Sequence, residues 1–166
     1  MKIIFAVDKN WSIGLNGDML FKITNDLGRF KEITMGNILI MGRKTLDSLP
    51  GSKPLPGREH IVLSRSKDYS NPPAHVAHSL EEAEKLIGQL NPEGDKEVFC
   101  IGGGNLVRQV IDQCNYAYIT KVNKTFESWD TSIPNLDELD GWEIESESDI
   151  KRDGCLEYKY VNYIKK

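Results

Sequence analysis

In ITNDLGRFKEIT, residues 23–34, a helical register puts Asp26, Phe30 and Ile33 at i, i+4 and i+7, with Leu27 beside them. These positions share one face, so Asp26 lies on an apolar stripe. A carboxylate in a mostly apolar cleft resists ionisation, because burial penalises the charged form. Such a group can bond a ligand or supply a proton near neutral pH. The residues alone leave a second reading open, an acid placed in a first helical turn to favour the dipole. No paired acid, histidine or cysteine lies close to Asp26 in sequence, so carboxylate-dyad and nucleophile schemes lack support. A lone acid beside a hydride donor would suit reduction of a polar C=N or C=O bond.

Three strand ends carry chemistry suited to an anion. The apolar run ILIM (38–41) ends in Gly42-Arg43-Lys44-Thr45, where a helix begins. HIVL (60–63) ends in Ser64-Arg65-Ser66, and EVFCI (97–101) ends in Gly102-Gly103-Gly104 before Asn105 and Leu106 open another helix. Cations at a helix N-terminus oppose the macrodipole, at about 0.3–1 kcal/mol each when exposed. They are either solvated surface charges or partners for a ligand. The glycines cost conformational entropy and give no packing, which a tight turn explains as well as a close ligand does. Neither G-x-G-x-x-G nor G-x-x-x-x-G-K-[ST] occurs, which disfavours a conventional Rossmann domain or a P-loop nucleotidase. In an open α/β sheet, ligands bind outside the carboxyl ends of the strands, and helix N-termini there hold phosphates. Three such ends together point to a ligand with more than one phosphate group. NADP, with its pyrophosphate and separate 2′-phosphate, fits.

The elements that must position these residues follow from patterning. Strands are predicted at Lys2–Val7, Asn37–Met41, His60–Ser64, Glu97–Ile101 and Tyr116–Val122, and helices near Thr24–Thr34, Lys44–Leu49, Leu80–Leu90 and Asn105–Gln113. Ser79 and Glu82 form a capping box for the third helix. Asp8 to about Met19 reads as a Gly/Asn/Asp-rich loop, and Pro50–Gly57 as a Pro/Gly-rich connection. Trp142–Asp149 and Cys155–Ile164 alternate in period two around Asp153-Gly154, a hairpin signal. The expected fold is α/β, a single domain over residues 1–166: a central, mostly parallel twisted sheet with an antiparallel C-terminal hairpin, flanked by about four helices.

Composition limits the alternatives. A formal net charge of −4 and a pI near 5.4 argue against nucleic acid as a partner. No apolar run approaches the ~18 residues of a membrane span, and MKIIFAVDKN is too short for a secretory core, so a cytoplasmic protein is expected. Cys100, Cys114 and Cys155 lack metal-site spacing and suit a reducing compartment, while His60, His75 and His78 read as surface or loop residues; no metal is expected. No heptad or exposed apolar repeat calls for a partner copy, so the default is a monomer.

The series AVDKNWSIG, DMLFKITNDLGRFK, IMGRKT, LPGR, VLSRS, IGGGN, YITKV and DTSIP resembles the dihydrofolate reductase family, in order along the whole chain. The resemblance implies reduction of 7,8-dihydrofolate to tetrahydrofolate with NADPH as cofactor, and antifolate-type small molecules as further partners. It makes Asp26 the acid that bonds the pterin and promotes protonation at N5 while hydride reaches C6, with Thr120 supporting it. Leu27, Phe30, Leu49 and Leu55 would line the pterin and aminobenzoyl pocket. Arg58 would pair with the folate α-carboxylate, a planar match that Lys could not copy. The backbone at Ile4, Phe5 and Ile101 would meet the pterin, and that at Ala6 the nicotinamide carboxamide. Gly102, Gly103, Gly104 and Asn105 would face the cofactor's phosphates with Arg43, Lys44 and Thr45, and Ser64 and Arg65 would hold the 2′-phosphate. Ile13, Gly14, Leu15, Gly42, Leu63, Leu106 and Thr131 complete the implied cofactor contacts. Residues 10–21 would form a mobile lid that places Met19 and Phe21 at the reacting atoms, with Asp130 as its anchor; without the family, Asp130 is simply a loop acid.

The chain also departs from the family pattern. Met19-Leu20-Phe21 replaces a usual Leu-Pro-Trp, so the indole N–H that commonly orders a water has no equivalent. Thr24 replaces a frequent proline and is expected as an N-cap. Val107 stands where an aromatic is common, and Asn105 where a cation is sometimes found, which leaves more of the 2′-phosphate recognition to Arg65. Two other readings remain at this point: a pyrimidine reductase of riboflavin synthesis sharing the fold, and a folate- or nucleotide-binding homologue without turnover.

Overall fold

The computed structural model describes residues 1–166. Its chain order is β1 (Lys2–Val7), β2 (Ser12–Leu15), β3 (Asp18–Met19), α1 (Thr24–Thr34), β4 (Ile38–Gly42), α2 (Arg43–Ser48), β5 (Glu59–Leu63), β6 (His75–Ala77), α3 (Leu80–Leu90), β7 (Val98–Cys100), α4 (Gly104–Val110), β8 (Tyr116–Val122), β9 (Thr131–Ser132), β10 (Trp142–Glu147), β11 (Lys151–Asp153) and β12 (Leu156–Lys165). Short 3₁₀ turns follow α2 at Pro50–Ser52 and α4 at Ile111–Gln113.

The main sheet runs β10-β12-β8-β1-β7-β4-β5-β6, with β11 on β12. Strands β8, β1, β7, β4, β5 and β6 pair in parallel, while β12 joins β8 and β10 antiparallel. A fully parallel interior needs cover on both faces, and the side chains divide accordingly. In β1, Ile3 and Val7 enter one core with Ile38, Ile40 and Ile61; Leu106, Val107 and Val110 of α4 and Ala83 of α3 close it. Ile4 enters the other core with Leu39, Met41, Val62 and Phe99, covered by Leu46 of α2 and Phe30 and Ile33 of α1. The period-two alternation of each strand thus assigns helices α1 and α2 to one face and α3 and α4 to the other.

Three expectations are corrected. The Asp8–Met19 stretch is not wholly irregular: β2 and β3 form a hairpin, and β2 also pairs with β9, making a small second sheet. Strands of two to four residues carry too little periodicity to stand out from a loop. Thr24 is not the N-cap of α1: Ile23 holds that position with no side-chain cap, and the Thr24 N–H donates instead to Asp153 Oδ2 at 3.2 Å. His60 is neither surface nor loop. It is 1 % exposed in β5, opposite Leu39.

The tail reverses most tightly between β11 and β12, where Asp153 faces Leu156 and Gly154 takes φ +60°. Ser79 Oγ accepts from the Glu82 N–H at 3.1 Å, and Glu82 Oε2 accepts from the His78 N–H at 2.7 Å, so the cap reaches one residue further back than a capping box.

Candidate active site

β1 pairs with β8 along its whole length, from Lys2–Tyr116 to Val7–Lys121, but with β7 only at Lys2–Phe99 and Ile3–Cys100. Beyond Ile3 the two central strands part. The opening between Ile4–Ala6 and Ile101–Gly103 lies at the carboxyl ends of the parallel strands, where open α/β sheets place their ligands. The order β7-β4-β5 makes the three anion-suited ends neighbours.

Helix α1 crosses the face beside this opening. The Thr120 hydroxyl on β8 donates a short hydrogen bond to Asp26 Oδ1, joining residues that lie far apart in sequence. Burial pushes the Asp26 carboxyl above its ordinary value, while the Thr120 hydrogen bond and the nearby Arg29 charge oppose that rise. Desolvation wins, so the group keeps its proton further toward neutral pH than a surface carboxylate does. Phe30, Leu49, Leu55 and Ile101 pack at the margin of the core that holds Ile4, giving one apolar wall. Leu27 is 47 % exposed at the open side of α1. Its exposure follows from its place one residue beyond Asp26 on the rim.

At the far end of α1, Arg58 Nη1 donates to Thr34 Oγ1 at 3.2 Å and Nε to the Pro56 carbonyl at 3.1 Å. Thr34 Oγ1 in turn donates to the Phe30 carbonyl. His60, missed as a site-building residue, explains the pose of this loop. Its Nε2 accepts from the Leu55 N–H at 3.0 Å and its Nδ1–H donates to the Arg58 carbonyl at 3.1 Å, clamping Leu55 and Arg58 from below. Burial lowers its proton affinity, in keeping with the neutral tautomer that this pair of bonds requires. Its position directly before the apolar run Ile61–Leu63 of a parallel strand was the available signal.

The three glycines have three different causes. Gly102 has φ +119°, and a Cβ there would lie 3.4 Å from the Phe5 ring and 3.5 Å from Thr45 Oγ1. Gly104 abuts β9, where a Cβ would collide with the Ser132 carbonyl and crowd Arg108 and Thr131. Gly103, joined to Gly102 by a cis peptide bond, has φ −74° and ψ −167° and no protein atom within 4 Å of an added Cβ; Gly42, at the neighbouring strand end, likewise has none. No protein atom fills the space that a Cβ would take at either position. Their joint position at the opening fits the close approach of something external, as a phosphate-bearing cofactor would need.

Arg43, Lys44, Arg65 and Asn105 are exposed around this rim. The Arg43 guanidinium stacks 4.5 Å from the Tyr69 ring. Ser64 Oγ accepts from the Ser66 N–H at 3.2 Å, which folds the β5 exit back on itself. Leu106 differs from its neighbours. Its side chain is 6 % exposed in the main core, and Val107 is fully buried there, so neither side chain forms the rim. Ile13 and Leu63 are partly buried against the same core.

The β2–β3 hairpin is held at both ends. Asp130 Oδ2 accepts from the Asn16 N–H at 2.8 Å, and the Asp130 N–H donates to the Gly14 carbonyl at 3.0 Å. Thr131 pairs with Gly14 across β9 and β2 and also borders Gly104, linking the hairpin and the glycine run. At the root, Asp8 Oδ1 accepts from the Asn10 and Ser12 N–H groups at 2.9 Å and Oδ2 accepts from the Phe126 N–H at 3.1 Å. Phe126 stacks on Phe21 at 5.3 Å, which buries Phe21 with Ile23, Val122 and Tyr158. Leu15 lies half-buried in the hairpin, and Met19 is 43 % exposed at its end.

The family model described as dihydrofolate reductase matches residues 1–165. The chain belongs to the dihydrofolate reductase family. It is 34 % identical to a dihydrofolate reductase of Bacillus subtilis over 167 residues, covering all of this chain and 95 % of that one. A Mycobacterium tuberculosis dihydrofolate reductase is 36 % identical over 165 residues, covering 97 % and 95 %. Among solved structures, dihydrofolate reductase from Enterococcus faecalis complexed with NADP(H) and RAB-propyl superposes with a TM-score of 0.85 at 30 % identity, covering 99 % of this chain and 95 % of that one.

Proposed function

We propose that this chain reduces 7,8-dihydrofolate to 5,6,7,8-tetrahydrofolate with NADPH. The observation that carries the proposal is the Asp26–Thr120 pair, a carboxyl whose proton affinity burial raises, beside the parted central strands of a dihydrofolate reductase fold. NADPH, when bound, supplies the hydride that adds at C6. Asp26 bonds the pterin and promotes arrival of a proton at N5, so that hydride and proton together saturate one C=N bond. The Thr120 hydroxyl orients the carboxyl. Ile4, Phe5 and Ile101 offer backbone to the pterin and Ala6 offers backbone to the carboxamide, while Leu27, Phe30, Leu49 and Leu55 enclose the ring and linker. Arg58, its fork already aligned by Thr34 and Pro56, takes the α-carboxylate of the glutamate.

Gly42, Gly102, Gly103 and Gly104 give the phosphates room, with Arg43, Lys44, Thr45 and Asn105 around them, and Ser64 and Arg65 select the 2′-phosphate. Ile13, Gly14, Leu15, Met19, Phe21, Leu63 and Thr131 close over the cofactor side, and Leu106 contributes backbone alone. Such a closed lid excludes water from the reacting atoms. No helix is long and apolar enough to cross a membrane. Action in the cytoplasm as a monomeric single domain, on small molecules rather than nucleic acid, accords with the charge balance and is part of the same proposal.

The test is loss of NADPH absorbance on adding dihydrofolate; absence of turnover overturns the reading. Replacing NADPH with NADH, and Arg65 with Ala, checks the cofactor assignment. Arg65→Ala loses NADPH affinity by about 10- to 100-fold, the worth of a charged hydrogen bond, and leaves NADH affinity nearly unchanged. Equal losses for both cofactors would place the 2′-phosphate elsewhere.

A further inference from the structure

Arg29 lies one helical turn beyond Asp26 on α1, where i and i+3 residues are neighbours. Its guanidinium is fixed from two directions by β12, lying 4.0 Å from the Tyr160 ring centroid and donating from Nη2 to Asn162 Oδ1 at 3.1 Å. The Tyr118 ring of β8 lies 5.7 Å away on the same face. No acid within ion-pair distance accounts for this placement: the ion pairs of the protein involve other arginines. A cation held by an aromatic face and an amide, rather than by a carboxylate, keeps its field unneutralised.

We propose that Arg29 is a positioning residue for the proton-handling acid: anchored on Tyr160 and Asn162, it supplies the fixed positive field that keeps Asp26 able to ionise within a desolvating wall. The inference rests on the reading of Asp26 given above and adds a residue to it. The titratable and charged groups around Asp26 and Arg29 come from several elements. β8 contributes the Thr120 hydroxyl, and β12 contributes the Tyr160 phenol, whose ionisation Asp26 opposes and Arg29 favours. Tyr158 OH, also on β12, lies 3.5 Å from Asn25 Nδ2 on the first turn of α1. β11 contributes Asp153, bonded to the Thr24 N–H, and Lys151, whose ammonium lies 5.9 Å from the Tyr160 ring. Arg29 is the one cation among these that acts to lower the Asp26 carboxyl, and burial acts against it. Too high a proton affinity would leave Asp26 a poor proton donor, and too low a value would leave it empty at neutral pH; proton transfer favours a value near the working pH. Arg29 sets that balance from the cationic side.

The experiment measures single-turnover hydride transfer against pH in the full-length enzyme, with NADPH and dihydrofolate saturating, for wild type, Arg29→Met, Arg29→Lys and Asn162→Ala. Protonated Asp26 supports the reaction, so the rate falls as pH rises through its titration. Removing the guanidinium moves that falling limb to higher pH in R29M. R29K retains most of the wild-type midpoint, and N162A shifts it the same way by a smaller amount. In parallel, carbon-detected NMR titration of the Asp26 carboxyl in the ligand-free protein reads the field directly, whether or not turnover uses this acid. A raised carboxyl midpoint in R29M supports the inference even if Asp26→Asn were to leave turnover intact, so the two readings fail separately. Identical carboxyl and rate midpoints in wild type and in R29M that still binds NADPH would overturn it. Should R29M not fold, unchanged midpoints in N162A and R29K would do the same.

Discussion

Asp26 shows how a side chain's chemistry follows from its neighbours. Its helical register places it on an apolar face, burial raises its proton affinity, and Thr120 orients it. The same desolvation costs stability. Because the folded carboxyl titrates above the unfolded one, its contribution is full in acid and is lost as pH rises through the folded value. Asp26→Asn therefore unfolds at higher denaturant than wild type near neutral pH, and with no such gain in acid, as chemical denaturation at the two pH values would read. Arg58 obeys a different rule. Thr34 and Pro56 align its fork, so truncation to Ala raises the dihydrofolate KM by a factor equivalent to about 1.5–3 kcal/mol, the worth of a charged hydrogen bond. Steady-state kinetics with unchanged NADPH affinity would check this. Asp26 and Arg58 were both legible in the sequence, one from helical period and one from the LPGR resemblance. His60, which clamps Leu55 and Arg58, was not, because its two ring bonds form only once the loop folds back over β5.

Strand ends gather the groups that single elements cannot hold. The Arg43, Arg65 and glycine-run ends could be read separately from sequence, yet their adjacency required the order β7-β4-β5. The structure also separates what GGG left merged. Gly103→Ala meets no protein atom, so it leaves stability within about 0.5 kcal/mol, as for unencumbered surface substitutions, while weakening NADPH binding. Gly104→Ala drives a methyl into the Ser132 carbonyl and costs stability first, by about 1–3 kcal/mol as overpacking does. Thermal denaturation beside NADPH titration distinguishes the two. A Gly103→Ala variant with normal NADPH affinity would return that residue to an ordinary turn. The β2–β3 hairpin, by contrast, was invisible to periodicity: β2, β3 and β9 are too short, and β2 is held by its local partner β3 on one side and by β9, more than a hundred residues away, on the other.

The molecule as a whole is an α/β/α sandwich whose central strands separate at their carboxyl ends, and whose β2–β3 hairpin is tied to its frame by Asp8 at the root and Asp130 near the tip. Alternating apolar strands and a period-two tail made the mostly parallel sheet and its antiparallel end readable in advance. The long-range polar bonds that shape the cleft carry no mutual signal in a single chain: the Asp26–Thr120 bond was expected through the family resemblance alone, and the Asp8–Phe126 bond was not expected at all. These parts converge on one claim, that a single protonatable acid promotes reduction of dihydrofolate by NADPH. The direct test is the pH dependence of hydride transfer in wild type and in Asp26→Asn under single-turnover conditions. The wild-type rate should fall as pH rises through the elevated Asp26 titration, and D26N should be slower at neutral pH by at least about a hundredfold, the worth of a positioned general acid, with NADPH binding retained. Wild-type-like rates in D26N near neutral pH would contradict the account.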